Sequence, residues 1–210
     1  MKKLLIAFFA IVLLPITAQA AKFEEGKHYS VVPGQATNTP EVREYFSYYC
    51  PACRGFEPYL ADIAKSLPEG TELNKTHVDF MGHSSPEIQG MLSTGLAVAE
   101  KTGLAKKFSA EAFSYLQTQR KSISDLEDVK KIYIAAGGDG ATFDKGVKSF
   151  AIRGQVKRNK KVQDKLSKAR YIGSVPAFVV NGKYVINAKE LDRNNFMQDY
   201  KDIIAYLLTL

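Results

Sequence analysis

The two cysteines of this 210-residue chain stand three positions apart, in Cys50-Pro51-Ala52-Cys53, directly after the run Val42-Arg43-Glu44-Tyr45-Phe46-Ser47-Tyr48-Tyr49. A dithiol therefore lies where a strand-like segment gives way to a helical one, which constrains fold and chemistry together. A bridge closing so short a loop restricts the unfolded chain very little, so stability is not its purpose. A structural zinc site wants four ligands, and His28, His77 and His83 offer no second pair at a matching spacing. Two thiols at this spacing suit disulfide exchange with another protein. No metal or organic cofactor is expected, because the Cys50–Cys53 disulfide is itself the redox group.

The first twenty residues point to a compartment. Met1-Lys2-Lys3 is a short positive start, Leu4 to Ile16 is an apolar stretch, and Ala18-Gln19-Ala20 has the form of a cleavage site. Residues 1–20 read as a secretory signal peptide with the mature chain starting at Ala21. The apolar stretch is short of the ~20 residues that cross a bilayer. Export to a bacterial periplasm follows, where disulfides form and persist. Loss of Lys2 and Lys3 takes the formal net charge from +7 to +5. An exported protein of that charge has little occasion to meet nucleic acid, and the charge serves solubility or attraction to anionic surfaces.

The changes of apolar period give the architecture. Val42 to Phe46 is strand-like, with Val42, Glu44 and Phe46 on one face, and Cys53 to Ala64 has helical spacing at Phe56, Leu60, Ile63 and Ala64. A second strand is expected over Leu73–Phe80, which makes a right-handed β-α-β unit. Three helical periods follow, marked by Ile88 to Leu96, Leu104 to Leu116 and Leu126 to Tyr133, and a long polar helix by Ile152 to Ala169. Strand character returns at Ala177–Val180 and Tyr184–Ile186 around an Asn181-Gly182 turn. A last helix carries Phe196, Tyr200, Ile203, Ile204 and Leu207. The fold class is α/β, one sheet interrupted by a helical insertion.

Three segments carry a family resemblance: Glu44 to Cys53, His77-Val78-Asp79-Phe80-Met81-Gly82, and Gly173-Ser174-Val175-Pro176-Ala177-Phe178-Val179-Val180-Asn181-Gly182. Their order and spacing resemble the DsbA family of periplasmic disulfide oxidases of Gram-negative bacteria along essentially the whole mature chain. The resemblance implies a thioredoxin fold with an inserted helical domain. Residues 21–83 and 169–210 would form the thioredoxin-like part and 84–168 the insertion. It also implies oxidation of newly exported proteins and reoxidation by a quinone-linked membrane partner of the DsbB type.

Pro51 suits the first turn of a helix, where its missing N–H costs nothing. Cys50 then lies at the helix N-terminus, where free N–H groups and the dipole favour a thiolate. It is expected to be the exposed, reactive sulfur, and Cys53, one turn on, the partner that closes the pair. Ala52 departs from the family motif, which commonly has histidine there, and so lacks one group that would stabilise the thiolate. A higher Cys50 pKa and a less oxidising couple are expected than with histidine. In the resembled fold the Val175–Pro176 bond is cis and faces the CxxC, with Val175 beside the sulfurs, whereas from sequence alone Pro176 is equally a proline entering an edge strand.

Glu44 is an acid on an apolar strand face, and burial would raise its pKa and let it relay protons. Lys75 matches a family lysine that can lie close to that acid. The alternative for the pair is a surface ion pair. One of Tyr48 and Tyr49 is expected in the core. Arg153, Lys157, Arg158, Lys160, Lys161, Lys165, Lys168 and Arg170 read as a solvated helix face, and His77 and His83 as a strand and a loop histidine without catalytic duty. The leading function is a monomeric oxidase for unfolded or reduced exported proteins. Its rivals are a reductase or isomerase on the same fold, and a peptide-binding chaperone whose disulfide is incidental.

Overall fold

The computed structural model describes residues 22–210, and the expected signal peptide, residues 1–20, lies outside the described residues. The elements run β1 (Tyr29–Val31), β2 (Glu41–Phe46), α1 (Pro51–Ser66), β3 (Glu72–His77), α2 (Pro86–Lys101), α3 (Ala105–Phe113) continued by a π-helical turn (Ser114–Thr118), α4 (Leu126–Ala135), α5 (Gly140–Lys148), α6 (Phe150–Lys168), β4 (Ala177–Val180), β5 (Tyr184–Ile186) and α7 (Phe196–Leu207). The five strands form one sheet in the order β1-β5-β4-β2-β3. Only β2 and β3 are parallel, as a β-α-β unit requires, with Glu44 opposite Lys75 and Phe46 opposite His77.

Alternation along the strands divides the core between two faces. Val42, Phe178, Val180, Tyr184 and Ile186 pack with Phe56, Leu60 and Ile63 of α1 and Tyr200, Ile203 and Ile204 of α7. Tyr45, Val179 and Val185 turn to the opposite face and join the core of α2 to α6. Each face of the sheet is thus buried by helices, which explains why β2 is buried almost throughout although Glu41, Arg43 and Glu44 carry charges. The helices between β3 and β4 pack closely enough to exclude even a methyl group at Gly95 of α2. A Cβ there would lie 2.7 Å from Phe108 Cζ and closer still to Val129.

Several boundaries differ from the sequence reading, each for a physical reason. The strand expected to reach Phe80 ends at His77, because its partner β2 stops at Phe46 and turns towards α1. Val78 N still donates to Phe46 O (2.8 Å), but nothing continues the ladder beyond it. Helix α1 begins at Pro51 rather than Cys53, and α6 at Phe150 rather than Ile152. Strand β1 was not expected; three residues on a sheet edge are too few to show a period. Asn181 and Gly182 do form the turn between β4 and β5, with φ of 52° and 63° as a primed hairpin turn demands.

Candidate active site

Local chemistry places Cys50 at the mouth of α1. Pro51 occupies the first turn, and Cys50 is the N-cap in extended conformation. The N-cap position aims a side-chain acceptor at the free N–H groups of the first turn. Here the acceptor is sulfur: Cys53 N donates to Cys50 Sγ at 3.1 Å. Both cysteines are thiols. The Cys50 thiol is lowered to about 6, first by the hydrogen bond from the Cys53 side chain and further by the N–H groups of Cys53 and Ala52, against the opposing effect of burial. The Cys53 thiol is raised, because it is the donor in that pair and is itself buried.

The sequence suggested an exposed Cys50, whereas only 6% of its surface is exposed and Cys53 has none. The cover comes from the segment before β4. Val175–Pro176 is a cis peptide bond, and Cys50 Sγ donates to Val175 O at 3.3 Å. Pro51 and Ala52 remain exposed beside the sulfur.

Below the cysteines lies a charged trio. Glu44 is wholly buried, and Lys75 Nζ approaches one of its carboxylate oxygens to 3.3 Å. Neither oxygen has an aligned hydrogen-bond donor, so the attraction is one of charge. Burial pushes the Glu44 carboxyl up to about 7, and Lys75 pulls the other way. Lys75 is shared with Glu57 of α1 in a short ion pair and stands 4.2 Å from the Phe46 ring centroid. Glu57 had escaped the sequence reading. Its signal was available, since position 57 lies one helical turn beyond Cys53 on α1.

Tyr48 is the tyrosine that enters the core, with no exposure, while Tyr49 is half-buried and stacks on His83. Tyr48 stacks on His77 at 4.8 Å, and its phenol lies 3.0 Å from Ser109 Oγ on α3. His77 is buried and its pKa falls to about 3 because burial disfavours the cation. It has no part among the reacting sulfurs. The basic residues of α6 are exposed, and Lys160 pairs with Asp79 at 2.7 Å and Asp164 at 3.2 Å. The structure thus gathers Cys50, Pro51, Ala52, Cys53, Val175 and Pro176, places Glu44 and Lys75 with Glu57 beneath them, and leaves the basic face elsewhere. No group of acidic, histidine or cysteine side chains suited to a metal occurs among the described residues.

Residues 41–195 match the family model described as a DSBA-like thioredoxin domain. The chain is 34% identical to the thiol:disulfide interchange protein DsbA of Pectobacterium carotovorum, covering 100% of this chain and 99% of the relative. It is likewise 34% identical to the protein of the same name from Escherichia coli K12, covering 99% and 98%. Among solved structures it is similar to Proteus mirabilis DsbA in complex with a non-covalently bound peptide (TM-score 0.78, 26% identity, 90% of this chain and 100% of that one). It is also similar to the DsbA disulfide interchange protein of Klebsiella pneumoniae (TM-score 0.76, 27% identity, 91% and 100%).

Proposed function

The chain belongs to the DsbA family of thiol:disulfide interchange proteins, and from that premise we propose that it works as an oxidase, donating the Cys50–Cys53 disulfide to proteins newly exported to the periplasm. Residues 1–20 would be the export signal. Residues 21–83 with 169–210 would form the thioredoxin-like domain, and 84–168 the helical insertion. The observation that carries the direction of transfer is the pairing of a Cys50 thiol lowered to about 6 with a Cys53 N–H aimed at its sulfur. Whatever stabilises the Cys50 thiolate stabilises the reduced protein, so the disulfide is readily given up.

The steps balance in sulfur and protons. A substrate thiolate attacks Cys50 Sγ, the Cys50–Cys53 bond breaks, and Cys53 leaves as a thiolate that takes up a proton. A second substrate thiolate then attacks the substrate's own sulfur and expels Cys50 as its stabilised thiolate. Two substrate thiols have become a disulfide and the protein's disulfide two thiols. Glu44 suits delivery of the proton to Cys53: it titrates near 7, and its negative charge repels the Cys53 thiolate and so favours the protonated thiol. Lys75 and Glu57 would hold that carboxyl between its two states.

Val175 and Pro176 flank the path to Cys50, and an extended peptide would lie there. The Proteus mirabilis protein carries a non-covalently bound peptide, which supports a peptide-shaped substrate for this chain too. A monomer suffices for each step, and a quinone-linked membrane oxidase of the DsbB type would restore the disulfide. The test is the equilibrium of the Cys50–Cys53 couple against glutathione, together with turnover on a reduced, unfolded protein. A strongly oxidising couple and multiple turnovers are expected. A thioredoxin-like couple would assign the chain to reduction or isomerisation. Cys50→Ser should lose all turnover, whereas a variant that still suppresses aggregation with undiminished effect on folding yield would make the protein a chaperone.

A further inference from the structure

The helical block meets the backbone of the active-site loop through the side chain of Gln117. Gln117 lies in the π-helical turn Ser114–Thr118 that prolongs α3, and such turns gather at functional sites. Its Nε2 donates to Tyr48 O at 2.8 Å and to Cys50 O at 3.1 Å. A glutamine amide nitrogen carries two hydrogens, so both are spent on this loop. The Cys50 carbonyl is also the acceptor that opens α1, receiving Arg54 N at 3.2 Å.

That carbonyl has leverage over the sulfur chemistry. The ψ angle of Cys50, 113° in the structure, sets both where the carbonyl points and how the first turn of α1 faces Sγ. A donor fixed on the carbonyl therefore fixes the aim of the Cys53 and Ala52 N–H groups. The rest of α3 holds the same loop by its side chains: Ser109 Oγ meets the Tyr48 phenol at 3.0 Å, and the Phe113 ring lies 5.0 Å from that of Tyr48. Gln117 is the member of this grip that acts on backbone next to the reacting sulfur.

We propose that Gln117 is a positioning residue through which the helical block sets the oxidising strength of the Cys50–Cys53 couple. The inference rests on the reading of that pair as an exchanging couple. In the dithiol state Sγ must stay where the N–H groups point, whereas in the disulfide state it is bound to Cys53 and gains less from them. Loss of the Gln117 bonds should therefore weaken the reduced state selectively.

The experiment replaces Gln117 with methionine, which keeps the length and removes both donors. Two quantities are read: the midpoint of the Cys50 thiolate absorbance in the reduced protein, and the equilibrium with glutathione. For hydrogen bonds of ordinary net strength the equilibrium should move roughly threefold to tenfold towards the oxidised protein, with a higher thiolate midpoint. Ser109→Ala, which frees the Tyr48 phenol without touching either carbonyl, should lower thermal stability and leave both readouts in place. An unchanged midpoint and equilibrium in folded Gln117→Met overturns the inference, as does an equal shift in Ser109→Ala. Should the methionine variant not fold, Gln117→Asn withdraws the amide from both carbonyls and is judged by the same two readouts. A wild-type protein that exchanges no disulfide with glutathione would overturn the reading of the couple and this inference with it; the variants alone overturn only the role of Gln117.

Discussion

The backbone N–H of Cys53 points at Cys50 Sγ across 3.1 Å, so the residue that closes the disulfide also steadies the thiolate left when it opens. The consequence is a pH-dependent stability of the reduced protein. The Cys50 thiol is depressed to about 6, below its unfolded value, so its contribution is complete above the unfolded pKa and lost as pH falls through 6. Measured as the difference in unfolding free energy between reduced wild type and Cys50→Ser, it should grow between about pH 6 and 9 by up to ~3 kcal/mol. A difference that is flat across this range would show that the thiolate gains nothing from the helix start.

Ala52 is exposed beside the sulfur and offers it only a backbone N–H. Ala52→His adds an imidazole without displacing any packed group. Its expected effect is a lower Cys50 midpoint and a glutathione equilibrium about tenfold further towards the reduced protein, equivalent to ~30 mV. A redox titration with no movement in the oxidising direction would refute the importance of this position.

Glu44 contributes with the opposite sign to Cys50. Its folded pKa of about 7 lies above the ordinary 4.5, so the stability it contributes is full below the unfolded pKa and lost as pH rises through 7. Glu44→Gln removes that loss, and should gain on wild type by about 2–3 kcal/mol between pH 4.5 and 8. Urea melts at the two pH values decide it. The same variant should slow the step that protonates Cys53, read as a flattened pH profile of exchange.

Lys75 stands between two carboxylates. Lys75→Met leaves a buried charge without a partner at alkaline pH and should cost ~2–4 kcal/mol at pH 8, and much less at pH 5 where Glu44 is protonated. In the double variant with Glu44→Gln most of that cost should vanish. Additive losses in this cycle would mean that the two side chains do not interact.

His77 is held neutral by burial, with a pKa near 3, and its Nε2 has no partner. A histidine depressed in the folded state contributes stability that is complete above its unfolded pKa and disappears as pH falls towards 3. His77→Phe keeps a ring against Tyr48, and Ser93 Oγ retains the carbonyls of His77 and Gln89. It should be close to neutral at pH 7 and more stable than wild type by about 2–3 kcal/mol at pH 4. Acid unfolding curves that coincide would contradict this.

Much of this protein is legible in one dimension. The Cys50–Cys53 spacing after a strand fixes a thiol-exchange site at a helix start, because a cap needs only neighbours in sequence. Short strand-like apolar runs place Val42, Val179 and Val180 in the sheet, and helical periods mark α1 to α4 and α7. Glu44 is legible as an acid in apolar company. The three-residue β1 has no period to detect, and the end of β3 depends on where β2 stops.

Contacts between distant segments were decided by the tertiary structure alone. It chose Tyr48 over Tyr49 for the core, brought Val175 over Cys50 to leave that sulfur 6% exposed, added Glu57 to Lys75, and set Gln117 against the carbonyls of Tyr48 and Cys50. Each relationship joins residues from different elements, and its strength depends on distance, alignment and exclusion of water, none of which a linear pattern encodes. The sequence by itself determined which atoms react, through local caps and periods. The packing of the helical block and the loop before β4 against α1 decided how those atoms are held and shielded.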